Sequence, residues 1–196
     1  MPKVGMQPIR RRQLIDATLA SIHEHGLTDT TVSRIGAAAG LSPGIIHHYF
    51  GGKDDLLFEA LRQLLAELRQ EIVNRLASAT GVRRVHAIID ANFAASQFAP
   101  RAVTAWLAFW AEAPHSPRLA RLQRIHSRRL HSNIVHALRH AIPLSEARTT
   151  ALGLAAMIDG LWLQCALAHG HLTPETARQV CIDYIDRHLA QRRMDS

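Results

Sequence analysis

Residues 31–50, TVSRIGAAAGLSPGIIHHYF, constrain this chain more than any other stretch. Val32, Ile35 and Ala39 recur at helical spacing, and Thr31 stands where a hydroxyl caps the first amides of a short helix. Gly40 marks a turn. Ser42 is placed to cap a second helix, whose first residue, Pro43, sits where a missing N–H costs nothing. With Leu41 and Ile46 available as shared core, the pattern reads as two short helices across a glycine turn, a helix-turn-helix. The second helix of such a unit enters the DNA major groove.

The rest of the chain reads as support for this unit. After a mobile arm of ten or so residues, Arg10 to about His25 is a predicted helix with Ile15, Leu19 and Ile22 on its buried face, stopped by Gly26. Beyond Gly51-Gly52, Asp54 and Asp55 suit the positive end of a long helix, and Leu56, Leu57, Leu61, Leu64, Leu65 and Leu68 give it a broad apolar stripe to about Leu76. This helix links the two halves and is the natural lever between them. Five more helices follow, at about Val82 to Ser96, Arg101 to Glu112, Pro117 to Ala141, Ser145 to Ala168 and Pro174 to Gln191. They are punctuated by Thr80-Gly81, Pro100, Pro114 to Pro117, Pro143 and Gly170 to Pro174. No alternating strand pattern competes. The predicted fold is therefore all-α, about nine helices, with a helix-turn-helix domain over residues 8–68 and a helical ligand-sensing and dimerisation domain over 69–196.

Charge narrows the partner. A net charge of +7 favours an anionic partner but does not separate DNA from RNA or a membrane, so the motif has to choose. Two cysteines, Cys165 and Cys181, without CxxC pairing indicate neither a disulfide framework nor a zinc knuckle. The basic N-terminus lacks the apolar run of a secretory signal. Residues 151–168 are apolar, yet Asp159, Gln164 and the glycines at 153, 160 and 170 make a poor membrane span. A cytoplasmic protein with no membrane partner is expected. The helix from Pro117, with Arg118, Arg121, Arg124, Arg128, Arg129 and Arg139, reads as a solvated face; a second DNA surface is the alternative.

The run Thr31 to Leu57 resembles the DNA-binding signature of TetR-type transcriptional regulators, which continues through an aromatic pair and a lysine, here Tyr49, Phe50 and Lys53. The segments MPKVGMQPIRRRQLIDATL, AWLAFW and MIDGLWL extend the resemblance toward the choline-responsive repressors of that family, which govern glycine betaine synthesis. Two departures stand out: His47 replaces a frequent Tyr, and Gly36 a usual Ala, which predicts a slightly weaker helix. The resemblance implies that Gly44, Ile45, His47 and His48 lie on or near a surface reading a palindromic double-stranded operator. It places Thr31, Ser42, Tyr49 and Lys53 for backbone contacts. Ile45 suits a thymine methyl and a histidine suits a purine acceptor, while the alternative for each of His47 and His48 is packing against the adjoining helix. Arg10, Arg11 and Arg12 either contact phosphate and minor groove or form a solvated helix start.

A regulator needs a second site. Trp106, Phe109 and Trp110, spaced i, i+3, i+4, share a helix face, with Phe93 on the preceding helix. Leu152, Ala155, Ala156, Asp159 and Trp162 form a stripe that sets a carboxylate among apolar neighbours, where it needs a partner. A quaternary ammonium ion fits aromatic faces beside a negative charge, and the resemblance implies choline as effector, with no further cofactor. The alternative is a tryptophan-rich core with Asp159 paired to Arg128 or Arg129. On the other edge of that helix, Gly153, Met157, Gly160 and Gln164, with Val180, Tyr184 and Leu189 from the last helix, suit a two-fold interface and a homodimer. Two other functions compete: a TetR-type regulator of another compound, such as a drug or lipid precursor, and a metalloenzyme built on His136 and His140. The latter lacks HExxH and has Arg139 beside the pair.

Overall fold

The structure, a computed structural model, describes residues 6–167 and 172–194. Residues 1–5 of the expected mobile arm, Ala168 and Gly170 lie outside them. Nine α-helices form among the described residues: α1 Met6–Asp29, α2 Val32–Ala39, α3 Pro43–Tyr49, α4 Lys53–Leu76, α5 Arg83–Asn92, α6 Pro100–Glu112, α7 Pro117–Leu138, α8 Leu144–Leu167 and α9 Pro174–Met194. A short 3-10 turn, Ala95–Phe98, lies between α5 and α6. The expected all-α architecture is present. Several boundaries differ from expectation, the end of α7 at Leu138 rather than Ala141 among them. The first helix begins at Met6 rather than Arg10, and the segment expected to end near Ser96 breaks at Asn92 into the 3-10 turn.

Gly26 interrupts α1 with φ 75° and ψ 172°, a conformation that favours a residue without Cβ, and the chain resumes a last turn to Asp29. Three side chains satisfy the carbonyls of that turn. Thr30 Oγ1 donates to Gly26 O (2.7 Å), Arg34 to Asp29 O (2.7 Å), and Lys53 Nζ to Leu27 O (3.0 Å) and Thr28 O (3.4 Å).

Two compact units result. One holds the chain up to Ala66 together with Ala99–Leu122; the other holds Glu67–Phe98 and the chain from Gln123 onward. In the first, α1 packs on α2 and α6, and Leu14, Ile15, Ala17, Ile35, Ala39, Ile46, Phe50, Leu56 and Ala60 form a closed apolar core. In the second, α8 packs on α9, and α5 on both. Helix α8 turns Ala147, Ala151, Leu154, Ile158 and Trp162 inward at three- and four-residue spacing. Polar ties close this unit. His86 meets Asp186 at 2.8 Å, Arg178 meets Asp90 at 2.6 Å, and Glu146 receives both Arg192 (2.6 Å) and His188 (3.1 Å). Thr173 caps α9 by accepting the Thr176 N–H, with Pro174 following as expected. Length and composition alone would let α8 cross a membrane, but in this fold one face of it packs inward within the second unit.

Candidate DNA-reading surface and ligand site

The helix-turn-helix forms as the sequence predicts, with one substitution of means. Thr31 accepts the Arg34 N–H at 3.2 Å and so caps α2. Ser42 does not use its side chain; its backbone oxygen accepts the Ile45 N–H at 3.0 Å, and Pro43 supplies the rest of the helix start. Gly40 closes α2 in the left-handed region, φ 62°, returning its N–H to Ala37 O and Gly36 O.

Gly36 overturns the expectation of a merely weaker helix. A Cβ there would stand 2.7 Å from the Leu41 carbonyl oxygen, because the turn folds back over α2, with Leu41 N–H bonded to Gly36 O at 2.9 Å. Close approach of backbone to backbone requires the glycine.

The seven residues of α3 divide cleanly. Ile46 is buried in the shared core with Phe50 behind it, while Pro43, Gly44, His47 and His48 are exposed on the opposite side. Both histidines therefore face solvent rather than the adjoining helix, His48 meeting only the edge of Tyr49 at 5.3 Å between ring centroids. Ile45 and Tyr49 are half-buried at the margins of this face. An outward strip of small, imidazole and apolar groups on a short helix is what base-edge reading requires.

The basic residues around it have distinct tasks. Arg11 donates to Tyr49 O at 2.8 Å and lays its guanidinium 4.4 Å over the Phe50 ring. Arg10 reaches Gln13 at 2.9 Å, and Arg12, more exposed, lies 3.5 Å from Asp16. With Arg62 and Glu59, Arg11 and Arg12 line an open groove of about 440 Å³ between α1 and α4. Lys53 grips the end of α1, as above. Sequence reading missed Gln13, whose amide donates to Ala39 O at 2.7 Å and ties α1 to the end of α2. No local pattern signals such a bond.

The expected ligand residues fall in two groups, one in each unit. In the first unit Trp106 and Phe109 are buried with ring centroids 5.9 Å apart, and Trp110 is half-buried. Phe109 borders an apolar cavity of about 10 Å³, shared with Ile22, Leu57, Leu61 and Leu119, room for no more than one water. In the second unit Phe98 stands between Phe93 and Trp162, at 6.3 and 5.8 Å from their ring centroids. Phe98 was missed in the sequence because it sits on the 3-10 turn that the helical reading did not anticipate.

Asp159, one turn before Trp162 on α8, is half-buried, and burial pushes its carboxyl up to about 6. Among the described residues no cation lies within ion-pair distance of it; Arg128 and Arg129 are exposed and do not provide the alternative pairing. His126 in the same unit is pushed down to about 4, by burial first and then by Arg129. His136 and His140 stand edge to face at 6.2 Å, and Arg139 Nε donates to the His140 ring nitrogen at 3.2 Å, where a metal would bind.

Comparison with known proteins identifies the family. Residues 14–60 match the family described as bacterial regulatory proteins, tetR family, and residues 81–190 match the C-terminal region of BetI-type transcriptional repressors. The HTH-type transcriptional regulator BetI 1 of Chromohalobacter salexigens is 51% identical over 193 residues, 97% of this chain and 96% of that one. BetI of Klebsiella pneumoniae is 46% identical over 96% of this chain and 98% of its own. Among solved structures, a transcriptional regulator from Saccharomonospora viridis in complex with choline superposes with a TM-score of 0.80 at 23% identity, over 91% of this chain and 96% of that one.

Proposed function

The chain belongs to the TetR family of bacterial regulators and to its BetI-type repressors, and from that premise we propose that it leaves a palindromic operator when it binds choline. It is a DNA-binding transcriptional repressor and not an enzyme, as are the families and relatives it matches. The genes we assign to its control are those of choline uptake and glycine betaine synthesis, in the cytoplasm.

One observation carries the choice of effector: Asp159, a carboxylate with no cation in ion-pair distance among the described residues, one helical turn from Trp162, whose ring lies tilted against Phe98, itself stacked on Phe93. A quaternary ammonium ion has no hydrogen to donate, so aromatic faces and an opposite charge are the partners available to it. Trp106, Phe109 and Trp110, in the first unit, remain candidate ligand residues on the strength of the family resemblance alone. Arg10, Arg12, Thr31, Ser42, Gly44, Ile45, His47, His48, Tyr49 and Lys53 are the proposed DNA contacts, with Arg11 holding the reading helix.

A second copy of the chain is the proposed partner, through α8 and α9. Leu152 and Val180 on those helices are 65% and 42% exposed, an apolar surface that a dimer would cover. Part of the expected stripe is used within the chain instead: Gly153 lies under Tyr184, whose hydroxyl would stand 3.3 Å from a Cβ there, and Leu189 is buried. Two copies would set two reading helices about 34 Å apart on successive major grooves. Leu152→Glu is expected to give a monomer by sedimentation and to lose operator binding.

Release follows by linkage. If choline binds better to the arrangement poorly suited to the operator, it weakens DNA binding by the same factor. Calorimetric titration with choline, glycine betaine and an uncharged aromatic, followed by operator binding with and without choline, tests this. Saturable, choline-selective heat with loss of operator affinity supports the reading. Silence by calorimetry discards choline and leaves a repressor for another small molecule.

A further inference from the structure

Asp55, at the third position of α4, works in two directions. One carboxylate oxygen accepts the Gly51 N–H at 3.1 Å, the reach-back bond of an acid in a first helical turn. The other accepts from Arg118 Nη1 at 2.5 Å. The Arg118 guanidinium also lies 4.3 Å over the ring of Phe58, one turn along α4. It is held by a charge at one point and a ring face at another.

Gly51 follows Phe50, the buried residue that caps the end of the reading helix. The fit around it is close: a Cβ on Gly51 would meet the same Asp55 oxygen at 2.6 Å. The end of α3, the start of α4 and the start of α7 are thus joined through one carboxylate, all within the first compact unit. Arg118 is 56% exposed, and an exposed ion pair adds little to stability. Its content is directional, because a guanidinium fixed at two points sets an orientation that a single contact does not.

We propose that Arg118 is a positioning residue for operator reading: it fixes the turn after α3 relative to the α6–α7 connection, so the angle of the reading helix follows that connection. Arg118 touches no base in this role. The inference rests on the DNA-binding role and not on choline, whose failure as effector would leave it standing.

The test uses full-length protein and a duplex selected from a random pool by the wild type, with an unrelated duplex as comparison. Affinity across a salt series and thermal denaturation are measured for wild type, Arg118→Ala, Arg118→Lys, Asp55→Asn and the double variant Arg118→Ala, Asp55→Asn. Asn at 55 keeps an acceptor for Gly51 while removing the charge that holds Arg118. Each of Arg118→Ala and Asp55→Asn is expected to lose about three- to tenfold in affinity for the selected duplex, with the double variant no worse than either, as coupling through one contact requires. Arg118→Lys regains part, since an ammonium reaches Asp55 but does not stack flat. Salt slope and affinity for the unrelated duplex stay unchanged. Unchanged affinity in all variants overturns the proposal. So does an equal loss on both duplexes with a shallower salt slope, which makes Arg118 a phosphate contact. A collapse in Tm that Lys fails to rescue also overturns it, as a purely structural role.

Discussion

Arg11, on the second turn of α1, donates to the carbonyl of Tyr49, the last residue of the reading helix, at 2.8 Å, and covers the ring of Phe50 beyond it. The bond takes up a carbonyl that the end of a short helix leaves unpaired. Three neighbouring arginines that look equivalent in sequence therefore separate by task. Arg11→Ala is expected to cost about 1–2 kcal/mol of stability, from one charge-assisted hydrogen bond and one cation–π contact to the buried Phe50 ring, and to weaken binding to every operator variant. Arg12→Ala should leave the Tm nearly unchanged and lower the salt slope of DNA binding by about one. Thermal denaturation beside a salt series separates them; a Tm drop in Arg12→Ala and none in Arg11→Ala would reverse the assignment.

Gly36→Ala tests propensity against packing. Alanine is favoured by about 1 kcal/mol in a helix interior, but the added methyl must displace the Leu41 carbonyl, a backbone atom, from 2.7 Å. Overpacking of this kind costs about 1–3 kcal/mol, so the variant is expected to be less stable and to read its operator less well. A gain in Tm would mean that the α2–α3 turn relaxes without cost.

The same position shows how far the sequence could be read. The helix-turn-helix was legible because local rules all agree there: a capping threonine, a glycine turn, a proline at the first helical position and apolar residues at helical spacing. Gly36 was misread because its reason is a backbone atom five residues on. Lys53, expected at phosphate, also closes the end of α1, and Gln13 ties α1 to α2; such side-chain to backbone bonds span 26 residues in both cases. In the second unit Trp162 was found by its helical spacing and Phe93 by its place on the preceding segment, while Phe98 was missed. Its position depends on the 3-10 turn Ala95–Phe98, where helical periodicity carries no signal.

The proposed ligand site carries its own pH dependence. A quaternary ammonium ion is attracted to the ionised form of Asp159, whose carboxyl burial holds up to about 6. Choline affinity should therefore fall as pH drops through that value, reaching about one-tenth of its pH 8 level at pH 5 if only the ionised form binds. Asp159→Asn should bind weakly and lose the dependence, while operator binding without choline persists. A pH-independent affinity in the wild type would remove Asp159 from the site.

Two half-buried groups in the second unit pull stability in opposite directions between pH 4 and 6. His126 titrates at about 4 in the folded protein against an ordinary 6.5, so between these values the unfolded chain binds more protons and stability rises with pH. Asp159 titrates at about 6 against 3.8, so the folded chain holds the extra proton and stability falls as pH rises. Each contributes a slope of at most about 1.4 kcal/mol per pH unit, and near pH 5 they largely cancel. Asp159→Asn removes the falling branch and should make stability climb more steeply across this window; His126→Gln removes the rising branch and should make it fall. Denaturant unfolding at half-unit intervals from pH 4 to 7 gives the two difference curves against wild type. Opposite slopes are expected, and a flat curve for either variant would mean that its group does not titrate as its burial implies.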